Sequence, residues 1–406
     1  MEENKHMNIL MIGTTDVVGG AAKISWQLRK YLESQGHTVS MFVADKKSDD
    51  PKVKIIPRSF IRKLIGFILS TENLIRTDWI LDTEEFKQAD VVHCHNLHGR
   101  FFNLHTLQKM SRMKPVVWTL HDEWAITPHC ACTLEGTTMK NGLYVCPSKD
   151  TPPRILWDNT ARLSAEKNAA YAKSKLTIIT PSKWLENRVH TTSLSIQKVI
   201  RIPNGIDTTL FSPGDKIEAR KKLDLPQNKK ILLFLADSAR INPWKGWPYA
   251  EEVILSFSKD PNIVFVCVGD HASLPSQSNI INREYIKDQS EISNYYRAAD
   301  GLLFTSLAEN FPLVILEAMS CGLPIVSFKV GGVPEIVEHM ISGYIGEYRN
   351  SEDLKKGVEW LFSLSSNDAR NMSLKNSQKI KDEYDHQTMY KKYMEVYKLA
   401  CGKIGR

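Results

Sequence analysis

The stretch Ser306-Leu307-Ala308-Glu309-Asn310-Phe311-Pro312-Leu313-Val314-Ile315-Leu316-Glu317-Ala318-Met319-Ser320-Cys321-Gly322-Leu323-Pro324 sets two acids on either side of an apolar run. Pro312 lacks an N–H and has a fixed φ, which suits the first position of a helix, and Gly322 ahead of Leu323-Pro324 supplies a stop. The stretch therefore reads as a short helix between two strands. Those strands are Gly301–Thr305 and Pro324–Phe328, apolar runs bounded by turn residues, as buried parallel strands usually are. Glu309 then falls in the loop at a strand's carboxyl end. Glu317 falls inside the helix, about 80° past two full turns from Glu309, so the acids need not share a face and are expected to serve different parts of one ligand. The N–H groups at Phe311, Leu313 and Val314, with the helix macrodipole, favour a phosphate or carboxylate there.

At 406 residues the chain is too long for one ordinary core, which predicts two domains. Hydrophobic residues at 42% and charged residues at 24% are ordinary globular values and give no sign of disorder. The net charge of +7 permits anionic partners, among them nucleotide diphosphates, acidic lipid headgroups and nucleic acid, without choosing between them. No aromatic-basic motif supports nucleic acid, and none is expected as a partner. The seven cysteines are an odd number, and Cys94 and Cys267 fall in predicted strands; a reducing cytosol fits this usage. Glu2 and Glu3 lead directly into the strand Asn8–Gly13, and no apolar run approaches the ~20 residues of a membrane helix. A cytoplasmic protein, neither secreted nor membrane-spanning, is expected.

The first half alternates strands and helices. After Asn8–Gly13 comes a loop containing Gly19-Gly20, then an amphipathic helix from about Ile24 to Ser34; further strands follow at Thr38–Val43, Asp90–His95, Pro115–Leu120, Leu176–Thr180 and Val199–Ile202. This is the grammar of a parallel sheet with helices on both faces and ligands at the strand carboxyl ends. The Gly19-Gly20 loop is neither G-x-G-x-x-G nor a Walker loop; it permits close backbone approach to a ligand, and equally a purely steric turn. Two strand ends carry polar residues: His95-Asn96-Leu97-His98 and His121-Asp122-Glu123, of which His121-Asp122 is preferred as a site. His129-Cys130-Ala131-Cys132 with Cys146-Pro147 resembles part of a thiolate metal site, but the C-x-C gap is wrong, so thiols in an irregular insertion are expected and no metal. Arg58 to Leu69 combines basic residues with a strongly apolar face; it suits either an interfacial helix or a core-facing helix with a solvated basic edge, and the second is preferred.

Turn residues at Pro203-Asn204-Gly205-Ile206-Asp207 mark the boundary, with domains expected at 1–205 and 206–384 and a last helical segment at 385–406. A second alternation starts at Lys230–Ala236 and continues through Ile263–Gly269. Between these strands, the loop Asp237 to Trp247 places Arg240 and Lys245 five positions apart ahead of a helix, cations of the kind a diphosphate needs. Tyr390, Tyr393, Met394, Tyr397 and Cys401 give the last helix an apolar stripe for packing.

Gly19-Gly20, Leu120-His121-Asp122, Pro203 to Asp207, Arg240 with Lys245-Gly246, Tyr296 to Asp300, the Glu309/Glu317 pair and Gly331-Gly332-Val333-Pro334-Glu335 together resemble the retaining group 1 glycosyltransferases of family four, with likeness to its bacterial polysaccharide-assembly branch. The resemblance implies an α/β, GT-B architecture: two facing Rossmann-like domains with a cleft, and a C-terminal helix returning to the first domain. It implies transfer of a sugar, with retention and without a metal, from a UDP- or GDP-linked donor to a saccharide or lipid-linked acceptor in capsule, exopolysaccharide or lipopolysaccharide synthesis. Glu317 would hold the ribose hydroxyls. Arg240 and Lys245 would hold the diphosphate with the amides from Phe311 to Val314, Leu313 among them, and Asn310 belongs to the same donor-binding set. Glu309 would bind donor-sugar hydroxyls, His121 would contact the sugar with Asp122 beside it, and Gly19-Gly20 would let the backbone approach. No D-x-D is present to hold a divalent ion. Peripheral association with an anionic membrane at the inner face of the cell membrane is compatible with this reading. A nucleotide-sugar epimerase of the same architecture, or a non-catalytic sugar-nucleotide-binding protein, is the alternative.

Overall fold

The computed structural model describes residues 6–236, 240–269 and 279–402. Glu2 and Glu3 at the N-terminus, and Asp237, Ser238 and Ala239 at the start of the cation-bearing loop, lie outside these residues. The contacts divide the chain into two compact units: one holds the residues up to Pro203 and those from Met389 onward, the other Asn204–Thr388.

The first unit is built on β1 (Asn8–Thr15), β2 (Thr38–Asp45), β3 (Val53–Ile55), β4 (Val91–Cys94) and β5 (Val116–Thr119), followed by a small hairpin of β6 (Met139–Lys140) and β7 (Leu143–Tyr144), then β8 (Leu176–Thr180) and β9 (Lys198–Arg201). Seven of these form one parallel sheet in the order β3-β2-β1-β4-β5-β8-β9. β4 and β5 are buried along their whole length, as helices on both faces require of a parallel sheet. The order reverses between β1 and β4, so the loops after β1, β4 and β5 gather at the topological switch point. The helix after β1 begins at Gly20 rather than Ile24, because Gly19 takes φ +93° at the N-cap and lets the chain turn straight into it.

The second unit carries β10 (Lys230–Ala236), β11 (Ile263–Gly269), β12 (Ile280–Arg283), β13 (Gly301–Phe304), β14 (Ile325–Phe328) and β15 (Gly343–Gly346), again all parallel, in the order β12-β11-β10-β13-β14-β15. Here the switch point lies between β10 and β13. The helix after β13 runs Leu313–Ser320, with Pro312 at the N-cap in extended backbone and not, as expected, at the first helical position. Gly322 ends it at φ +86°, where a Cβ would meet Ser373 Oγ at 2.2 Å.

The last helix, His386–Ala400, packs on the first sheet from Met389 onward. Tyr390 stacks on Tyr31 with ring centroids 4.6 Å apart, and the buried Tyr397 hydroxyl lies 2.6 Å from His93 Nδ1. Within the second unit, the Ile206 amide donates to Tyr384 O at 3.0 Å and the His386 amide to Ile206 O at 2.9 Å.

Two expectations are corrected. Cys130 and Cys146 form a disulfide, Cα atoms 5.8 Å apart, where thiols were expected; the other five cysteines are thiols. Among the described residues no group of His, Cys, Asp or Glu is arranged to hold a metal. The helix Phe60–Ile68 is not core-facing: Phe60, Ile61, Leu64, Ile65 and Ile68 are all exposed, and Gly66 is the residue it buries. No helix among the described residues is long and apolar enough to cross a membrane.

Candidate active site

At the switch point of the second sheet, the loops after β10 and β13 are stitched together. Gly246 takes a left-handed φ of +65° so closely against β13's continuation that a Cβ would lie 1.9 Å from Thr305 O. Thr305 Oγ1 donates to Lys245 O at 3.0 Å, and the Leu307 amide donates to Trp244 O at 2.7 Å. This fixes the Lys245 backbone beside the Glu309 loop, and the Lys245 ammonium donates to Glu309 Oε1 at 3.0 Å, both side chains part-exposed. A third loop closes on them. The Gly332 amide donates to Asn310 O at 3.0 Å, and Gly331, at φ +52°, sits where a Cβ would come within 1.6 Å of Glu309 O. Asn204 Nδ2 donates to Phe311 O at 3.1 Å, and the Leu313 and Val314 amides occupy the helix's first turn, where no intrahelical acceptor exists.

Glu317 lies one helix face away and is 6% exposed. Tyr296 donates its hydroxyl to Glu317 Oε2 at 3.2 Å. Burial, then the Glu317 charge, push the Tyr296 phenol well above its ordinary pKa, so it stays a donor to the carboxylate. Arg240 lies against the Trp247 ring, its Cζ 4.8 Å from the centroid, and pairs with Glu251 at 3.4 Å. The second sheet therefore brings Lys245 to Glu309, while Arg240 and Glu317 each have other neighbours. Within the Tyr296–Asp300 motif, Tyr296 alone turns to this site. Arg297 holds Ser212 O at 2.8 Å, and Asp300 accepts from Arg220 and Lys216, both at 2.8 Å.

A second cluster occupies the switch point of the first sheet. His93 stands opposite Val117 across β4 and β5, and the residues just beyond both strands meet: His95 Nδ1 lies 2.9 Å from His121 Nε2, and His98 Nε2 lies 3.0 Å from Asp122 Oδ2. The sequence set these strand ends apart and preferred one; the parallel register joins them. Burial pushes the His121 imidazole down to about 4, with Asp122 pulling the other way, and pushes His95 well below its ordinary value. Both rings are neutral at pH 7. Burial also opposes charge on His98, but Asp122 and Glu72 overrule it and raise the imidazole's pKa; burial opposes charge on Asp122, and His98 with the Trp124 amide overrules it and lowers that carboxyl. With His98 protonated, the two form an ion pair.

Three buried charged residues of the first unit escaped the sequence reading. Lys167 is buried, lies 3.6 Å over the Trp124 ring and donates to Thr127 O at 2.8 Å; burial pushes its ammonium down to about 7, against the pull of Glu72 and Asp122. Glu72 is buried with neither carboxylate oxygen hydrogen-bonded. Asp16 is fully buried and accepts from the Lys47 and Ser48 amides at 2.9 and 2.8 Å, tying the loop after β1 to the one after β2. No local spacing announces a lone Lys in a helix or a lone Glu after a turn. A charged residue on the apolar side of the Thr160–Ala172 helix was the available signal for Lys167. Gly19 keeps open space around its missing side chain, with nothing within 4 Å of a Cβ, and Gly20 opens the helix that follows.

The family model described as Glycosyltransferase Family 4 matches residues 18–210, and the one described as Glycosyl transferases group 1 matches residues 215–379. The chain belongs to the group 1 glycosyltransferases. A D-inositol 3-phosphate glycosyltransferase from Streptosporangium roseum is 28% identical over 283 residues, a match spanning 63% of this chain and 60% of that relative. Among solved structures, a sucrose-phosphate synthase from Thermosynechococcus elongatus superposes with a TM-score of 0.69 at 16% identity, covering 98% of this chain and 99% of that one. The HepE protein of Anabaena, in complex with UDP and glucose, superposes with a TM-score of 0.67 at 18% identity, covering 96% and 99%. These likenesses define the fold as GT-B, with two Rossmann-like domains.

Proposed function

We propose that the chain transfers a sugar from a UDP- or GDP-linked donor to a saccharide or lipid-linked saccharide, with retention of anomeric configuration, in the cytoplasmic synthesis of a cell-surface polysaccharide. The observation that carries this reading is the Lys245–Glu309 pair, held at 3.0 Å by two interlocked loops beside the free amides of the Leu313–Ser320 helix. A cation, a carboxylate and a helix N-terminus within one switch point suit a sugar diphosphate: charge for the phosphates, an acceptor for sugar hydroxyls.

Lys245, with Arg240 and the Leu313 and Val314 amides, stabilises negative charge on the departing diphosphate; the cations supply what a divalent ion would otherwise provide. Glu309 accepts hydrogen bonds from donor-sugar hydroxyls. Glu317, already holding the Tyr296 hydroxyl through one oxygen, accepts from the ribose hydroxyls. In the first unit the neutral His121 and the Asp122 carboxylate offer hydrogen bonds to sugar hydroxyls, with His95 and His98 holding their orientation. The acceptor hydroxyl attacks the anomeric carbon on the face from which the diphosphate leaves. Its oxygen forms the new glycosidic bond, the C–O bond to phosphate breaks, and the proton passes to the leaving phosphate oxygen. No enzymic carboxylate is assigned as base.

The test is a panel of UDP- and GDP-sugars with saccharide acceptors, read as acceptor-dependent nucleotide release, with EDTA added in parallel and the product's anomeric configuration read by NMR. Acceptor-dependent release that survives EDTA and keeps the donor's configuration is expected. Epimerised nucleotide sugar without transfer, or donor binding without turnover, would overturn the reading.

A further inference from the structure

We infer that the helix Phe60–Ile68, together with Leu69, Leu156 and Trp157, is an attachment surface for an anionic lipid bilayer. At 100° per residue, Phe60, Leu64, Ile68, Ile61 and Ile65 fall at 0°, 40°, 80°, 100° and 140°, one continuous arc, and all five are exposed, Phe60 at 77% and Ile61 at 67%. Gly66 falls on the opposite side, and it makes the contact with the protein: a Cβ there would lie 3.1 Å from Thr71 O and 3.5 Å from Arg100 Cδ. The helix thus sits down on its one residue without a side chain and turns its apolar arc away.

A second segment extends the surface. The Leu156 and Trp157 amides donate to Ser70 Oγ at 3.0 and 3.1 Å, and Trp157 Nε1 donates to Ile68 O at 2.9 Å. The indole's polar edge is satisfied by the helix end while its ring stays 46% exposed, as does Leu156. An apolar ring anchored by its N–H suits the boundary between headgroups and acyl chains.

The charge pattern selects the occupant. From Ile56 to Ser70 there is no Asp or Glu, while Arg62 and Lys63 flank the Gly66 side of the helix and make no ion pair among the described residues. Lys63 is exposed and Arg62 half-exposed, both on stems long enough to reach headgroup phosphates while the arc enters the acyl boundary. Arg154 is a further exposed cation beside Leu156. Asp158, next to Trp157 in the chain, is exposed and is held by Thr160, accepting from its amide at 3.0 Å and its hydroxyl at 2.7 Å. A convex helix ridge with cations at its flanks matches a fluid apolar layer beneath an anionic surface better than a preformed protein groove.

The experiment is co-sedimentation of the purified chain with phosphatidylcholine vesicles and with phosphatidylcholine/phosphatidylglycerol vesicles. The wild type is expected to sediment with the anionic vesicles. Ile61→Gln/Leu64→Gln is expected to abolish sedimentation, and Arg62→Gln/Lys63→Gln to weaken the anionic preference about thirtyfold, from roughly fivefold per basic side chain near such a surface. Ile61, Lys63 and Leu64 are exposed and Arg62 is half-exposed, so the thermal transition is expected to be unchanged, which shows that the variants fold. Wild type left in the supernatant, or the apolar double variant sedimenting as well as wild type, would overturn the inference. So would sedimentation velocity showing a dimer that the apolar variant dissolves, which would make a second copy the occupant. The inference does not rest on sugar transfer: nucleotide release with a soluble acceptor should be unchanged in both variants.

Discussion

Replacing Gly331 by Ala tests whether the loop around Glu309 is held by backbone packing. A Cβ at this position would lie 1.6 Å from Glu309 O, and real Cβ atoms essentially never come within 3.0 Å, so the two loops must part by the difference, 1.4 Å. The left-handed φ of +52° adds a conformational cost of about 1–2 kcal/mol for any residue with a Cβ. Relieving the clash adds about 1–3 kcal/mol more. Gly36→Ala is the matched control: its φ is +84°, with nothing within 4 Å of a Cβ, so it carries the conformational cost alone. Chemical denaturation should place Gly331→Ala about 2–5 kcal/mol below wild type and Gly36→Ala about 1–2 kcal/mol below. Moving Glu309 by an ångström or more should also lower donor kcat/KM about a hundredfold, while Gly36→Ala leaves it unchanged. Equal destabilisation by the two variants, with donor kcat/KM intact in Gly331→Ala, would refute the reasoning.

Further outcomes follow from other contacts. Glu317→Ala should raise donor KM at least about tenfold, and Tyr296→Phe only a few-fold, since the phenol removes one hydrogen bond from a carboxylate that keeps its ribose contacts; steady-state kinetics at varied donor measures both, and an unchanged KM in Glu317→Ala would show that ribose is held elsewhere. The His98 pKa is raised, so its stabilisation is complete below the ordinary imidazole value of about 6.5 and fades as pH rises through the native value; Asp122 is lowered, so its share is complete above about 3.9 and fades as pH falls through its native value. The stability difference between wild type and His98→Gln, from urea midpoints, should therefore be largest between about pH 4 and 6.5 and shrink above that window; a difference that grows with pH would contradict the ion pair. Reducing Cys130–Cys146, which closes a 16-residue separation, should cost about 3 kcal/mol, visible as a lower thermal midpoint with reductant that Cys130→Ser/Cys146→Ser reproduces without it.

Local chemistry made much of the fold readable. β8, β10 and β11 begin and end where their apolar runs meet turn residues, and the Glu309–Glu317 stretch is a loop and helix between two strands, because a strand buried on both faces leaves a continuous hydrophobic signal. The short outer strands β3, β12 and β15 were not legible. Each is three or four residues long and partly exposed, so its pairing comes from a neighbour's edge and not from its own composition.

By itself the sequence determined the two α/β repeats and the residue types at each strand's carboxyl end, because these depend on periodicity and turn chemistry within a few residues. Only the tertiary structure decided which of those residues meet. Parallel register carried His95 to His121 and His98 to Asp122 from separate strand ends; loop interlock at Gly246 and Gly331 set Lys245 against Glu309; the fold closed Cys130 on Cys146. It also decided the direction of the Phe60–Ile68 helix. Apolar side chains dominate that helix, so its sequence cannot say which face turns inward; the choice fell to Gly66, whose missing side chain admits a close approach.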